Sequence, residues 1–380
     1  METKKYRFDE VTINFDKKRI PLSSAQREKR QGTFRYYGAQ GVIDHVDDYI
    51  FDGTYLLIAE DGENLKSKKQ NIAQVVDGQF WVNNHAHIVQ GNEQCDTRFL
   101  CYLINSMDLS GYVTGSAQPK LSQANLNAVT LSLPTLAEQK RIVEYLYMLD
   151  QKIDVNRQIN DNLEQQAHSY FQELFVDNAS PEWTTGTISD LGTVVGGSTP
   201  SKAKPEYYTE SGIAWITPKD LSINKSKFIS HGENDITELG LKNSSAAIMP
   251  EGTVLFSSRA PIGYIAIAAG EVTTNQGFKS VVPKPEIGTP FVYFFLKNTL
   301  PVIEGMASGS TFKEVSGSTM KNVPAVIPDA EILAKFSDFC APIFAQQRTL
   351  EEQNQSLAKL RDSLLPKLMS GEIDVSAVHL

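Results

Sequence analysis

Residues 115–134 and 309–328 are one segment written twice, so any fold for this chain must treat them alike. Gly115-Ser116 opens GSAQPKLSQANLNAVTLSLP, which closes on Pro134. Gly309-Ser310 opens GSTFKEVSGSTMKNVPAVIP, which closes on Pro328, at a constant offset of 194 residues without a gap. Upstream, FLCYLIN (Phe99 to Asn105) matches VYFFLKN (Val292 to Asn298) at an offset one residue shorter. More loosely, Val82-Asn83-Asn84-His85 matches Thr273-Thr274-Asn275-Gln276. The chain is built from two copies of one plan.

Each closing proline is followed by a helical pattern. Apolar residues recur in alternating steps of four and three at Ile142, Leu146, Leu149 and Ile153, then at Leu163, Ala167, Tyr170 and Leu174, with Asn156 and Asn160 at the two positions between. That is a heptad seam. At an offset of 194 stand Phe336, Cys340, Ile343, Gln347, Leu350, Asn354, Leu357, Arg361, Leu364 and Leu368, in the same register. Thr135 with Glu138 forms a capping box at the first helix start, Asp329 is placed to cap the second, and Pro366 is predicted to end or kink the second near its last turn. A single apolar stripe needs a partner, and the order globule, helix, globule, helix makes the other copy an antiparallel one. At about 1.5 Å per residue, residues 135–176 extend roughly 60 Å, a spacer. Asn160 and Asn354, equivalent in the repeat, either pair across the seam and fix its register or mark a wet gap in it.

The predicted fold class is therefore α/β (α+β). Two similar globular domains, 1–134 and 177–328, are separated by antiparallel coiled-coil helices, 135–176 and 329–370, with a tail, 371–380, returning toward the first domain and a pseudo-twofold relation throughout. Short runs such as Thr54-Tyr55-Leu56-Leu57-Ile58 and Gly252-Thr253-Val254-Leu255-Phe256 read as strands, and Asp177-Asn178-Ala179-Ser180-Pro181-Glu182 as a turn-rich boundary.

Composition excludes several classes. The 380 residues carry 36 Lys+Arg against 45 Asp+Glu, a net charge of −9, so the protein is not uniformly basic. Residues 1–35 nevertheless hold ten basic side chains against five acidic, whereas 135–180 holds four against eight. A basic face on an acidic molecule suits nucleic acid. The three cysteines, Cys95, Cys101 and Cys340, form no Cys-x-x-Cys pair, and no apolar run reaches membrane-span length, so a reduced, cytoplasmic protein is expected. The phosphate loop is absent, since Gly277-Phe278-Lys279-Ser280 lacks the upstream glycine. His85-Ala86-His87 would place two imidazoles on one strand face without a further ligand, so no metal is expected. Glu138-Gln139-Lys140 falls in the first helical turn, where capping explains the glutamate. No tetrapeptide of the Asn-Pro-Pro-Tyr kind and no G-x-S-x-G elbow occurs. The sequence points to binding rather than catalysis.

The paired globules, the repeated Gly-Ser segments and above all PTLAEQKRIVEYLYMLDQKID (Pro134 to Asp154) resemble the specificity subunit of a type I DNA restriction-modification system. Further similar stretches are Lys18-Arg19-Ile20-Pro21-Leu22, Phe34-Arg35-Tyr36-Tyr37-Gly38, Gly197-Ser198-Thr199-Pro200 and Trp215-Ile216-Thr217-Pro218-Lys219-Asp220-Leu221. The resemblance implies a non-catalytic subunit whose two target recognition domains read the halves of a bipartite double-stranded DNA sequence. It also implies two methyltransferase subunits and restriction-translocase subunits as partners, with S-adenosylmethionine, ATP and Mg on those partners only. The first domain departs from the commonest pattern, with Phe34 to Gly38 in place of a Trp-Ile/Val-x-x-x-Asp-Leu segment, which implies different half-sites.

The candidate DNA contacts are Lys17, Lys18, Arg19, Tyr37, Lys66, Lys68 and Lys69 in the first domain. In the second they are Lys202, Lys204, Lys219, Arg259, Asn275 and Gln276. Each is equally readable as a solvated lysine or a turn-stabilising polar residue. The competing class is a cytosolic coiled-coil scaffold that binds proteins through its paired domains; segregated basic loops favour DNA.

Overall fold

A computed structural model describes residues 2–67, 70–115, 118–309 and 313–373. The chain divides into two compact units, Met1–Lys152 with Ser356–Leu380, and Ile153–Gln355. Each unit thus holds one globule together with part of each long helix.

In the first unit, Lys4–Arg7 pairs antiparallel with Thr130–Leu133, Lys4 opposite Leu133. A four-stranded sheet runs Thr12–Asn14, Ala86–Gly91, Tyr55–Ala59, Ala73–Val76, and a second runs Gly41–Val46, Gln31–Gly38, Gln79–Val82, Phe51–Asp52. The helix Thr97–Ser106 starts on Asp96, whose carboxylate accepts from Arg98 N and Phe99 N, and buries Phe99, Leu100, Leu103 and Ile104 at helical spacing.

The second unit repeats this plan. Thr184–Thr187 pairs with Pro324–Ile327, Thr184 opposite Ile327, and Ile327 is Leu133 plus 194. A five-stranded sheet runs Gly192–Gly196, Lys279–Pro283, Val254–Ser258, Ile262–Ala268, Phe228–Ile229, and a four-stranded one runs Tyr208–Thr209, Asn234–Ile236, Ile213–Ile216, Thr273–Thr274. In both units an inner strand of one four-stranded sheet, Gln31–Gly38 or Ile213–Ile216, pairs in parallel with the segment before the polar turn, Tyr37 opposite Val82 and Ile216 opposite Thr274. The strands Tyr55–Ala59 and Val254–Ser258 begin one and two residues later than the apolar runs suggest.

The two copies diverge after that inner strand. In the first unit Gly38 and Gly41 close a tight hairpin in which Gly41 has φ +135, a left-handed conformation costly for any residue with a Cβ. In the second unit Thr217 instead caps the helix Pro218–Ile223, its hydroxyl accepting from Asp220 N while Asp220 accepts from Thr217 N at 2.7 Å. The departure of Phe34 to Gly38 from the pattern of Trp215 to Leu221 is this change from helix to hairpin.

The long helices run Leu136–Gln172, continued by a wider turn over Glu173–Asp177, and Ala330–Ser370. Thr135 and Glu138 form the reciprocal cap, Thr135 N donating to Glu138 Oε2 at 2.9 Å and Glu138 N to Thr135 Oγ1 at 3.4 Å. The Asp329 carboxylate accepts from Trp183 Nε1 at 3.3 Å, and only its backbone carbonyl serves the helix, from Leu333 N. Pro366 does not end the second helix, which runs four residues beyond it. Of the tail, Gly371–Ile373 are described, and Ile373 packs against the first unit's core.

Every seam position is buried or half-buried. In the first unit Ile142, Leu146 and Leu368 are buried in the core, with Leu149, Leu357 and Leu364 half-covered. In the second, Ile153, Phe336, Ile343 and Leu350 are buried and Leu163 half-covered. Phe171, Phe175, Phe291, Phe294 and Phe336 pack ring against ring between helix and globule, with centroids 4.8–6.1 Å apart. Each fully buried ring contributes about 1.5–3 kcal/mol by transfer from water.

Asn160 and Asn354 do not meet. Asn156 Nδ2 donates to Asn354 Oδ1 at 2.9 Å, and Asn160 instead exchanges bonds with Gln347 through its backbone carbonyl (3.1 Å) and its side chain (3.3 Å). The reason is the antiparallel sense. On antiparallel helices residues i and i+194 move apart in opposite directions and face each other at one point only, between Asn156 and Asn160 on one helix and between Leu350 and Asn354 on the other.

Candidate nucleic-acid interface

In both units two aromatic residues fasten a basic loop to the four-stranded sheet that holds Gln31–Gly38 or Ile213–Ile216. In the first, Trp81 Nε1 donates to the Ile20 carbonyl at 2.6 Å and Tyr36 Oη accepts from Leu22 N at 2.8 Å, fixing the segment Lys17 to Leu22. Tyr36 is fully buried to do so. In the second, Trp215 Nε1 donates to Ser198 O at 3.0 Å and Tyr208 Oη to Pro200 O at 2.6 Å, fixing the loop that carries Lys202 and Lys204. A pinned loop holds its cations at fixed positions, which lowers the entropy lost on binding.

The sequence-predicted residues separate into those that face solvent and those that hold the scaffold. Lys17, Lys18 and Lys202 are exposed and form no ion pair among the described residues. Lys204 is exposed, with Glu206 at 3.7 Å. Lys219, also exposed, pairs with Glu233, and Lys66 donates to the Gly115 carbonyl at 2.9 Å. Lys68 and Lys69 lie outside the described residues.

Arg19 is not available as a solvent-facing contact. Its guanidinium is 16% exposed and donates to Glu60 Oε2 (3.1 Å), Ala86 O (2.9 Å) and Asp16 O (3.1 Å). Tyr37 is buried and edge-on to Phe80, and burial raises its pKa; Tyr36 and Tyr37 lie in separate clusters, and both are covered. Asn275 is half-buried, and its Oδ1 accepts from Gly277 N at 2.8 Å, which makes it a turn former. Gln276 next to it is exposed and accepts from the Thr199 hydroxyl, which joins the two loops.

Arg259 belongs to a group that sequence did not assemble. Its guanidinium lies 3.4 Å from Glu314 Oε2, and Lys279 Nζ lies 3.7 Å from the other oxygen of Glu314 and 3.4 Å from Gln276 O. Burial pushes the Lys279 ammonium pKa down against the pull of Glu314. The corresponding group in the first unit is Lys120, 3.2 Å from Glu60 Oε1, which Arg19 also holds; those two cations keep the Glu60 carboxyl pKa low despite its burial. The available signal was the repeat itself, in which Lys120 and Glu314 occupy one position with opposite charge.

The two histidines have separate roles. His85 Nδ1 lies 2.7 Å from Asp61 Oδ2 in a half-exposed pair, whereas His87 is buried, with Nδ1 2.7 Å from Asp16 Oδ2 and Nε2 2.9 Å from the Leu121 carbonyl. Burial opposes ionisation of both Asp16 and His87, but their mutual bond, with Ile88 N on Asp16, dominates and moves Asp16 down and His87 up. Among the described residues, no group of three or more His, Cys, Asp or Glu side chains is arranged to hold a metal, and no helix is long and apolar enough to cross a membrane.

Residues 2–165 and 181–358 each match the model of the type I restriction modification DNA specificity domain. The chain belongs to that family and carries two of its domains. It is 38% identical over 192 residues to the type I restriction enzyme MjaIX specificity subunit of Methanocaldococcus jannaschii, covering 50% of this chain and 44% of that one. To the HindI specificity subunit of Haemophilus influenzae it is 24% identical over 85% of this chain and 84% of that one. The fold matches a crystal structure of a type I restriction-modification S subunit from M. genitalium with a TM-score of 0.60, over 97% of this chain and 96% of that one, at 16% identity.

Proposed function

We propose that this chain is the non-catalytic sequence-reading subunit of a type I restriction-modification complex, and that each unit reads one half of a bipartite duplex DNA site. The observation that carries this reading is the repetition, in two family-matched units, of one sheet plan with polar turns and aromatic-pinned loops that carry exposed cations. Base edges in the major groove present distinct donor and acceptor patterns, while lysines and arginines hold phosphates. Lys17, Lys18 and Lys202 suit phosphate contact, and Arg259, oriented by Glu314, suits a base edge. The long helices set the distance between the half-sites. Two methyltransferase subunits and restriction-translocase subunits bind the assembled chain, and S-adenosylmethionine, ATP and Mg act on those partners. The chain works in the cytoplasm.

The test is sequencing of modified bases in DNA from cells that express the chain with its modification subunits. A two-part motif with an unread gap is expected, and modification without such a motif overturns the reading. The purified chain alone is expected to show no methyl transfer, DNA cleavage or ATP hydrolysis; measurable turnover in a partner-free preparation contradicts this.

Arg259→Ala is expected to weaken specific DNA binding by about 1–3 kcal/mol and to relax preference at one base pair. Uniform weakening on all sequences, with a salt slope reduced by about one, would instead identify a phosphate contact. Unchanged affinity and salt dependence would place the loop off the DNA.

A further inference from the structure

Matching hydrogen bonds within each unit equate positions of one with positions of the other. Leu121 N donates to Glu60 O and Val315 N to Ser258 O, and Leu121 and Val315 are 194 residues apart in the ungapped repeat. Glu60 therefore corresponds to Ser258, and Asp61 to Arg259. Glu60 N donates to His85 O and Ser258 N to Gly277 O, which equates His85 with Gly277. In turn His85 N donates to Asn83 Oδ1 and Gly277 N to Asn275 Oδ1, both at 2.8 Å, so Asn83 corresponds to Asn275 and Asn84 to Gln276. This corrects by one residue the alignment of Val82-Asn83-Asn84-His85 made from sequence. Reciprocal backbone bonds join Thr114 to Lys120 and Ser308 to Glu314, fixing the last equivalence.

The equivalent groups have opposite polarity. In the second unit the strand end carries the cation, Arg259, and the loop carries the carboxylate, Glu314. In the first the strand end carries carboxylates, Glu60 and Asp61, and the loop carries the cation, Lys120. Glu60 faces inward at 16% exposure and holds Lys120 by one oxygen, while Lys120 is 54% exposed, so its remaining donors face solvent. Beside it, Asp61 pairs in the backbone with Lys120 and holds His85 Nδ1, and the His85 ring is half exposed. In the tautomer whose Nδ1–H donates to Asp61, Nε2 is an acceptor.

We propose that Lys120 with the His85–Asp61 pair is the base-reading site of the first unit, a counterpart of Arg259 and Lys279 around Glu314 with its hydrogen-bond polarity altered. This rests on the DNA-reading function proposed above. The second unit offers the Arg259 guanidinium, 37% exposed beside Glu314, whose several donors suit the paired acceptors O6 and N7 of guanine. The first offers a donor beside an acceptor, which suits an edge where an acceptor stands beside an amino donor, such as N7 and N6 of adenine. The two half-sites therefore differ in chemical character at the base pair each group meets.

The experiment uses the full chain assembled with its modification subunits and a pool of duplexes randomised in both half-sites, sequenced before and after binding. Lys120→Met keeps the aliphatic stem and removes the donors; Lys120→Arg keeps donors; Arg259→Ala is the parallel variant. Lys120→Met is expected to flatten the preference at one base pair of the first half-site by tenfold or more, with the second half-site unchanged and Lys120→Arg retaining part of the preference. His85→Phe is expected to flatten the same or the adjacent base pair. Thermal melting of each variant, expected to match the parent, separates misfolding from lost reading.

If Arg259→Ala relaxes the second half-site while Lys120→Met and His85→Phe leave every first-half preference intact, this inference falls and the DNA-reading function stands. Uniform weakening by Lys120→Met with a reduced salt slope also overturns it, because Lys120 is then a phosphate contact. If the parent complex selects no sequence at all, the proposed function falls.

Discussion

Glu164→Gln is expected to destabilise the second unit by about 3–5 kcal/mol, the cost of leaving a buried cation without its counter-ion. Lys227, only 6% exposed, has its ammonium 2.6 Å from Glu164 Oε2, 2.7 Å from Gln347 Oε1 and 3.7 Å from the centre of the Phe344 ring. Lys297 shares Glu164 at 2.6 Å, and Glu351 accepts from the backbone N–H groups of Lys227 and Phe228. The chain entering the edge strand Phe228–Ile229 is thereby tied to both long helices by polar groups with little access to water.

Burial resists ionisation of Glu164, but Lys227 and Lys297 override it and bring its pKa down to about 2. For Lys227 burial wins, and its pKa falls to about 8 although Glu164 opposes this. The signs of the pH dependence follow. The Glu164 contribution is present above its ordinary value near 4.5 and is lost as pH falls toward about 2. Between pH 8 and 10.5 the unfolded chain retains a proton that native Lys227 has released, so this group makes stability rise with pH across that window. The denaturant midpoint of Glu164→Gln checks the first claim. The double variant Glu164→Gln with Lys227→Met, which removes the stranded charge, is expected to recover much of the loss. A single variant as stable as the parent would show that Gln347 and the surrounding rings suffice for Lys227.

This cluster also shows what the sequence could not disclose. Glu164 sits one position after the seam residue Leu163, where a heptad pattern reads an exposed flank, and its partners lie 63 and 133 residues away. The seam itself was legible because helical period and burial are one geometric fact, and the repeat was legible because both copies must build the same paired strands. The residues that face solvent at the binding surface were legible in part. A cation in a sequence carries no sign of whether a carboxylate waits for it, so Arg19 read as a contact until Glu60, 41 residues on, and the Ala86 carbonyl proved to hold it. Tyr37, also named as a DNA contact, lies in the core instead, because its strand is covered on both faces. Lys120 and Glu314 escaped notice because opposite charges at one repeat position read as divergence, when in each unit that position forms an ion pair with the neighbouring strand end.

Adding one heptad to each long helix is expected to lengthen the unread gap of the DNA site by roughly three base pairs, without altering either half-site. Seven residues add about 10 Å of helix, and the base-pair rise is about 3.4 Å. The seam determines where the insertion must go. Asn156 pairs with Asn354, and Asn160 with Gln347, so these four belong to one registered block that has to remain intact. Insertion between Lys152 and Asn156 on the first helix must therefore be matched by insertion between Asn354 and Ala358 on the second, which is also where the chain divides into its two units. A heptad added on only one helix would either part Asn156 from Asn354 or pull the seam beyond the insertion out of register, so it is expected to cost stability rather than to change the gap. Selection of duplexes with gaps of varied length by the assembled complex measures the outcome, with binding scored apart from methylation because partner subunits that grip the helices would respond separately. If the matched variant folds and still selects the parental gap, the helices do not set the spacing; the half-site separation is then fixed by the partner subunits or by bending of the DNA.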